Sequence, residues 1–188
     1  MKKAFIFLAS GFEETEAVAT IDIMLRGGID VKSVSITGNL LVTGAHGISV
    51  NADVLFENAD ISTGDMLVLP GGMPGAANLN SHEGVKRALK NYAETGKKIA
   101  AICAAPLVLG GLGLLQGKKA TAYPGFESTL TGATFVNAPV VKDGNIITGR
   151  GPGFVFQFGL AIVEELLGKA KAEEVAAGLL VDSQFHAL

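Results

Sequence analysis

Apolar residues fall along this chain in two alternating rhythms: short continuous runs flanked by turn residues, and longer stretches with a helical period. Lys3–Ala9 is a run of the first kind and predicts a strand. Thr15–Gly27 has the second rhythm and predicts a helix, and Asp30–Ile36 returns to strand. Leu40–Thr43, Ile48–Val50 and Val54–Phe56, separated by Gly44, Gly47 and Asp53, predict short strands of a hairpin excursion at a sheet edge. The alternation then resumes with Met66–Leu69 as strand and Ser81–Thr95 as a helix started by Ser81 and stopped by Gly96. Lys97–Ile102 predicts a strand and Ala104–Leu115 a buried helix. Lys119–Ala122, Val140–Val141 and Asn145–Thr148 predict further strands, the last two joined by an Asp143-Gly144 turn. Phe154–Leu167, stopped by Gly168, and Ala172–Leu180 predict the closing helices.

Strand–helix alternation with right-handed crossovers gives an α/β fold, a doubly wound, flavodoxin-like, mostly parallel sheet sandwiched by helices. No linker interrupts the pattern, so residues 1–188 read as a single domain. In such folds the crevice lies outside the carboxyl ends of the strands. Three unusual loops fall there: Gly11-Phe12-Glu13-Glu14-Thr15-Glu16, Pro70-Gly71-Gly72-Met73-Pro74-Gly75 and Cys103-Ala104-Ala105-Pro106.

With 48% hydrophobic and 18% charged residues, the chain has ample material for a core. A net charge of −3 with interspersed signs leaves no basic stripe for a phosphate backbone, which excludes nucleic acid as the expected partner. One cysteine rules out an intramolecular disulfide and fits a reducing, cytoplasmic setting. The opening Lys2-Lys3 and the apolar run behind them imitate a secretory signal, but the run passes straight into Glu13, Glu14 and Glu16. No segment approaches the about 18 apolar residues of a membrane span.

Cys103 carries the chemistry. It follows Ala100-Ala101-Ile102 and precedes Ala104-Ala105, small neighbours that permit a sharp strand-to-helix turn, the geometry of a nucleophile elbow. At a helix amino terminus the thiol is expected to be acidified toward thiolate. The plainer reading is a buried apolar cysteine, and the junction position weighs against it. Gly71-Gly72 after a strand lets backbone N–H groups approach a ligand; the Gly72 and Ala104 N–H groups are candidate oxyanion donors. Of Glu13, Glu14 and Glu16, two read as solvated acids of a first helical turn. Glu16, one turn in, becomes a proton carrier if it points at Cys103 and is desolvated. His46, His82 and His186 share no metal-ligand spacing, and no histidine adjoins Cys103. Arg26, Arg87 and Arg150 are each able to recognise an anion, and Gly149–Gly153 forms a glycine-shaped approach to the Phe154 helix that can wall the pocket.

Together, Ala100–Pro106, Leu69-Pro70-Gly71-Gly72, Gly11–Glu16 and Arg150-Gly151-Pro152-Gly153 resemble the ThiJ/PfpI superfamily, and within it the Parkinsonism-associated protein deglycase (DJ-one type) branch. The resemblance runs in order from Lys3 to about Leu180. It implies a flavodoxin-like homodimer in which Cys103 is an oxidation-prone nucleophile, Glu16 hydrogen-bonds it, and Gly72 and Ala104 match the oxyanion donors. It further implies cofactor-free and metal-free conversion of methylglyoxal or glyoxal to hydroxy acids, repair of early glycation adducts on proteins, or redox sensing and chaperone action. Three positions depart from family patterns. Tyr123-Pro124 stands where the branch often carries a histidine, so Tyr123 offers a hydrogen bond in place of histidine-assisted proton transfer. His46 stands at the place of an arginine near a dimer-edge anion site, where Arg26 matches the other arginine. Ala104 replaces the histidine of the peptidase-like branch, which argues against proteolysis.

The expected mechanism is addition of Cys103 to an aldehyde, with Glu16 moving a proton between adjacent carbons and hydrolysis releasing lactate or glycolate. The rival is a non-enzymatic oxidative-stress sensor in which Cys103 becomes a sulfinic acid. A peptidase or amidase, or a thiamine-related role, ranks below both.

Overall fold

The computed structural model describes residues 1–181. Strand β1, Lys3–Leu8, is buried from Ala4 onward. It leads through a tight loop into helix α1, Glu14–Arg26. Strand β2, Asp30–Ser35, then runs parallel to β1, completing the expected βαβ opening. Two short strands, β3 (Leu41–Thr43) and β4 (Ser49–Asn51), form a separate antiparallel pair. Strand β5, Val54–Leu55, leaves that excursion and joins β2 in parallel, so it belongs to the main sheet and not to the hairpin.

Strand β6 (Met66–Leu69) follows. The helix expected over Ser81–Thr95 is α3 (Glu83–Glu94), and a short helix that the sequence does not signal, α2 (Gly75–Ser81), precedes it. Ser81 ends α2 because its hydroxyl donates back to the Ala77 carbonyl at 3.0 Å. His82 caps α3, its extended backbone aiming Nδ1 at the Val85 N–H, 3.1 Å away. After β7 (Lys98–Ile102), the expected helix Ala104–Leu115 shortens to α4, Pro106–Gly111. Its end is set by Gly113, whose φ of 73° closes a Schellman turn in which the Gly113 N–H donates to the Gly110 carbonyl and the Leu114 N–H to the Leu109 carbonyl, each at 3.0 Å.

Strand β8 (Lys119–Ala120) pairs outside the main sheet with β9 (Thr134–Phe135), a strand the sequence does not signal. Strands β10 (Val140–Asp143) and β11 (Ile146–Gly149) form the expected hairpin. Helices α5 (Val155–Leu167) and α6 (Lys169–Gly178) follow.

The main sheet has the order β10-β11-β7-β6-β1-β2-β5, parallel except for β10. Period-2 alternation divides its faces. Ile6, Met66 and Val68 pack with Ile23, Phe158 and Ile162 of α1 and α5. Phe5, Phe7 and Leu67 pack with Leu79, Leu89 and Leu109 of α2, α3 and α4. Each such fully buried side chain contributes about 1.5–3 kcal/mol of apolar burial. The architecture is flavodoxin-like, and chain order reverses between β1 and β6, which places the crevice at the carboxyl ends of β1, β6 and β7. Among the described residues no helix is long and apolar enough to cross a membrane.

Candidate active site

Cys103 lies one residue beyond β7 with φ 65°, a left-handed conformation for a residue that carries a Cβ. That conformation costs about 1–2 kcal/mol and is held by the surroundings. The Cys103 N–H donates to the Gly149 carbonyl at 2.9 Å, and its carbonyl accepts from the Tyr123 N–H at 2.9 Å. Pro106 then opens α4. The result is a nucleophile elbow whose sulfur meets the N–H groups of Gly72 and Ala104.

Gly71 and Gly72 are required by close approach. A Cβ on Gly71 would lie 2.6 Å from the Cys103 Cβ and 2.8 Å from Glu16 Oε2. Gly72 has φ 85°, and a Cβ there would lie 2.4 Å from the Glu13 nitrogen. The Gly71 N–H donates to Glu16 Oε2 at 2.8 Å while its carbonyl accepts from Glu13 N–H at 2.9 Å, tying the glycine loop to the start of α1.

Glu16 is fully buried, and among the described residues no conventional hydrogen bond reaches its Oε1. Burial pushes its pKa up to about 7, against the Gly71 N–H and the Cys103 thiol, which favour the charged form. The expected acidification of Cys103 is not what the structure gives. Burial first, then the negative charge of Glu16, push the thiol up to about 12, and the Gly72 and Ala104 N–H groups only partly oppose this. The six-residue α4 adds too little positive field to reverse it. The influence is unequal: ionised Glu16 raises Cys103, whereas the neutral thiol, by hydrogen bonding, favours ionised Glu16, so the carboxyl ionises first and the thiol keeps its proton.

Glu13 and Glu14 are not merely solvated acids. Glu13 caps α1, its Oε2 accepting from the Glu16 N–H at 2.6 Å. Glu14 is buried, and its Oε1 accepts from the His46 N–H at 2.6 Å and the Ile48 N–H at 3.3 Å. His46 Nδ1 sits 2.7 Å from Glu14 Oε2. Ligand atoms of Glu13, Glu14 and His46 therefore lie within 4.8 Å of one another, a grouping hidden in the sequence by the residues between them.

Arg26 pairs with Asp22 at 2.7 Å on the exposed end of α1. Ten residues beyond Glu16, it is about 15 Å away along the helix and is not brought to Cys103 within this chain. Tyr123 serves Cys103 through its backbone; its half-exposed ring packs over Gly151. His82 is engaged with Val85 and edge-on to Phe56, at 4.7 Å between ring centroids. His186 lies outside the described residues.

The profile of the DJ-1/PfpI family matches residues 2–165. Protein DJ-1 homolog A of Arabidopsis thaliana is 44% identical over 183 residues, 96% of this chain and 47% of its own length. The chain thus spans about half the length of that relative. A deglycase of Pyrococcus abyssi is 36% identical over 157 residues, covering 82% of this chain and 93% of its own. The solved structure of oxidized Toxoplasma gondii DJ-1 superposes with TM-score 0.92 at 37% identity, covering 96% of this chain and 98% of its own. A family profile that matches residues 2–165, together with relatives 36–44% identical over 82–96% of the chain, assigns the chain to the DJ-1/PfpI family.

Proposed function

We propose that the protein converts reactive 2-oxoaldehydes such as methylglyoxal to hydroxy acids, or removes their early adducts from proteins, through Cys103 and without cofactor. The observation that carries this reading is the buried Glu16 carboxyl, with a pKa near 7, set against a cysteine whose sulfur meets two backbone N–H groups. Similarity to the Pyrococcus abyssi deglycase supports a deglycase-type role.

In the proposed sequence the thiol adds to the aldehyde carbon as its proton passes to the carbonyl oxygen, giving a hemithioacetal. The Gly72 and Ala104 N–H groups stabilise that oxygen while it bears charge. Ionised Glu16 takes the proton from this carbon and returns it to the neighbouring carbon, so the enediol becomes a thioester of the hydroxy acid. Water cleaves the thioester, releasing lactate from methylglyoxal and restoring the thiol. No net oxidation occurs, since one carbon is reduced as its neighbour is oxidised. Lactate formation, not methylglyoxal loss, is the test, because thiols sequester the aldehyde reversibly. Cys103→Ser should abolish product and Glu16→Gln should lower it by about 10²–10⁴-fold. Wild-type output from either variant would end the proposal.

A second reading is favoured by the oxidized Toxoplasma relative: Cys103 oxidised by peroxide to a sulfinic acid, held by the same N–H groups and protonated Glu16. A discrete two-oxygen mass increase at Cys103 after mild peroxide, without lactate formation from methylglyoxal, would favour this sensor over the enzyme.

A further inference from the structure

Beside the elbow lies a pocket of about 250 Å³ that the proposed chemistry leaves unused, lined by Tyr123, Pro124 and residues 150–154. Its walls are apolar apart from Arg150. The guanidinium Nη1 is shielded from solvent, and among the described residues no acceptor meets it. A guanidinium has donors only, and an unmet buried one is costly until an acceptor arrives.

The placement relative to Cys103 follows from the sheet. Gly149 pairs with Ile102 across parallel strands, so Arg150 and Cys103 are the residues that follow at the carboxyl ends of two adjacent strands. The Cys103 N–H bonds the Gly149 carbonyl, and the Tyr123 N–H bonds the Cys103 carbonyl. Both pocket walls are therefore fixed directly to the cysteine backbone. The thirteen-residue α5 begins at the same pocket: its cap residue Phe154 lines the cavity and supplies no side-chain cap, leaving the positive end of the helix to add its field.

We propose that Arg150 is the anion subsite of the Cys103 site and selects 2-oxoaldehydes that carry a carboxylate over neutral ones. One guanidinium matches one monovalent carboxylate, which it meets with a planar fork, and the apolar walls take the carbon chain. The substrate class rests on the aldehyde reading above; the subsite itself rests only on Cys103 being reachable from the pocket.

Paired alkylating agents test the subsite apart from catalysis. Cys103 is alkylated with iodoacetate and with iodoacetamide, and with the longer 3-iodopropionate and 3-iodopropionamide, and each acid-to-amide rate ratio is referred to that of N-acetylcysteine. The ratio should exceed the reference by about tenfold for at least one chain length. Arg150→Met should return it to the reference, and Arg150→Lys should keep part of the preference. General loosening of the fold moves both reagents and cancels in the ratio. A ratio equal to the reference in the wild-type protein, a ratio unchanged by Arg150→Met, or a Cys103 that neither reagent reaches would overturn the proposal. Failure of the aldehyde reading is seen separately, as wild-type protein that makes no lactate yet retains the charge preference.

Discussion

Glu16 sits where a carboxylate is costly, and that cost has a sign. Its pKa rises from 4.5 to about 7 on folding, so between these values the native state binds more protons than the unfolded chain. Stability therefore falls as pH rises through this window, by about 3 kcal/mol from this group by the time it is fully ionised. Glu16→Gln removes the ionisation while keeping an acceptor for the Gly71 N–H. The variant should be more stable than the parent above pH 7 by up to about 3 kcal/mol, with no gain near pH 4.5, read from urea midpoints across pH. Equal midpoints at every pH would mean that Glu16 is not desolvated. A residue that weakens the fold where it is ionised is one that packing alone does not explain. The sequence offered three glutamates in one turn and marked Glu16 by its helical position. The direction of the Cys103 shift was not legible, because it depends on how deep the thiol lies and on a charge in a distant segment.

At the scale of elements, two loops beside the site are made rigid by different devices. In the glycine loop the device is close approach. Gly71→Ala should lose most activity and about 1–3 kcal/mol of stability, since the new methyl group meets the Cys103 and Glu16 side chains together. Near-normal lactate formation by that variant would contradict the packing described. In the β3–β4 excursion the device is the buried Glu14 carboxylate, which gathers the N–H groups of His46 and Ile48. Glu14→Ala should cost about 1–3 kcal/mol and expose residues 44–48 to protease, whereas Glu14→Gln, which keeps an acceptor, should cost less. The strands of the main sheet were readable as apolar runs, and so was the elbow, because small residues flank Cys103. Helix limits were less so. The start of α3 at His82 and the early end of α4 at Gly113 are set by local caps that the sequence disguises, one a histidine in a place usually held by serine or aspartate, the other one of four closely spaced glycines, Gly110, Gly111, Gly113 and Gly117. Strand β9 escaped for a tertiary reason: Thr134–Phe135 is too short for any period, and pairing with β8 alone defines it.

For the whole molecule, the family resemblance leads us to expect a homodimer. The outer face of α1 presents Val18 and Leu25, about half exposed and one helical stripe apart, which is apolar surface suited to burial against a second copy. Light scattering should give twice the chain mass, and Val18→Glu with Leu25→Glu should shift it toward the monomer; a monomeric wild-type protein would contradict this. Arg26, on the same helix but distant from Cys103 in its own subunit, would then be placed by the partner arrangement, a relation no single chain encodes. The most direct measurement of the central claim is the isotopic composition of lactate formed from methylglyoxal in heavy water. A proton carried by Glu16 exchanges with solvent, so the account predicts deuterium on the carbon next to the carboxylate. Lactate free of deuterium at that carbon would mean a hydrogen moved without exchange, by hydride transfer or within a closed site, and would contradict a Glu16 carrier in contact with solvent.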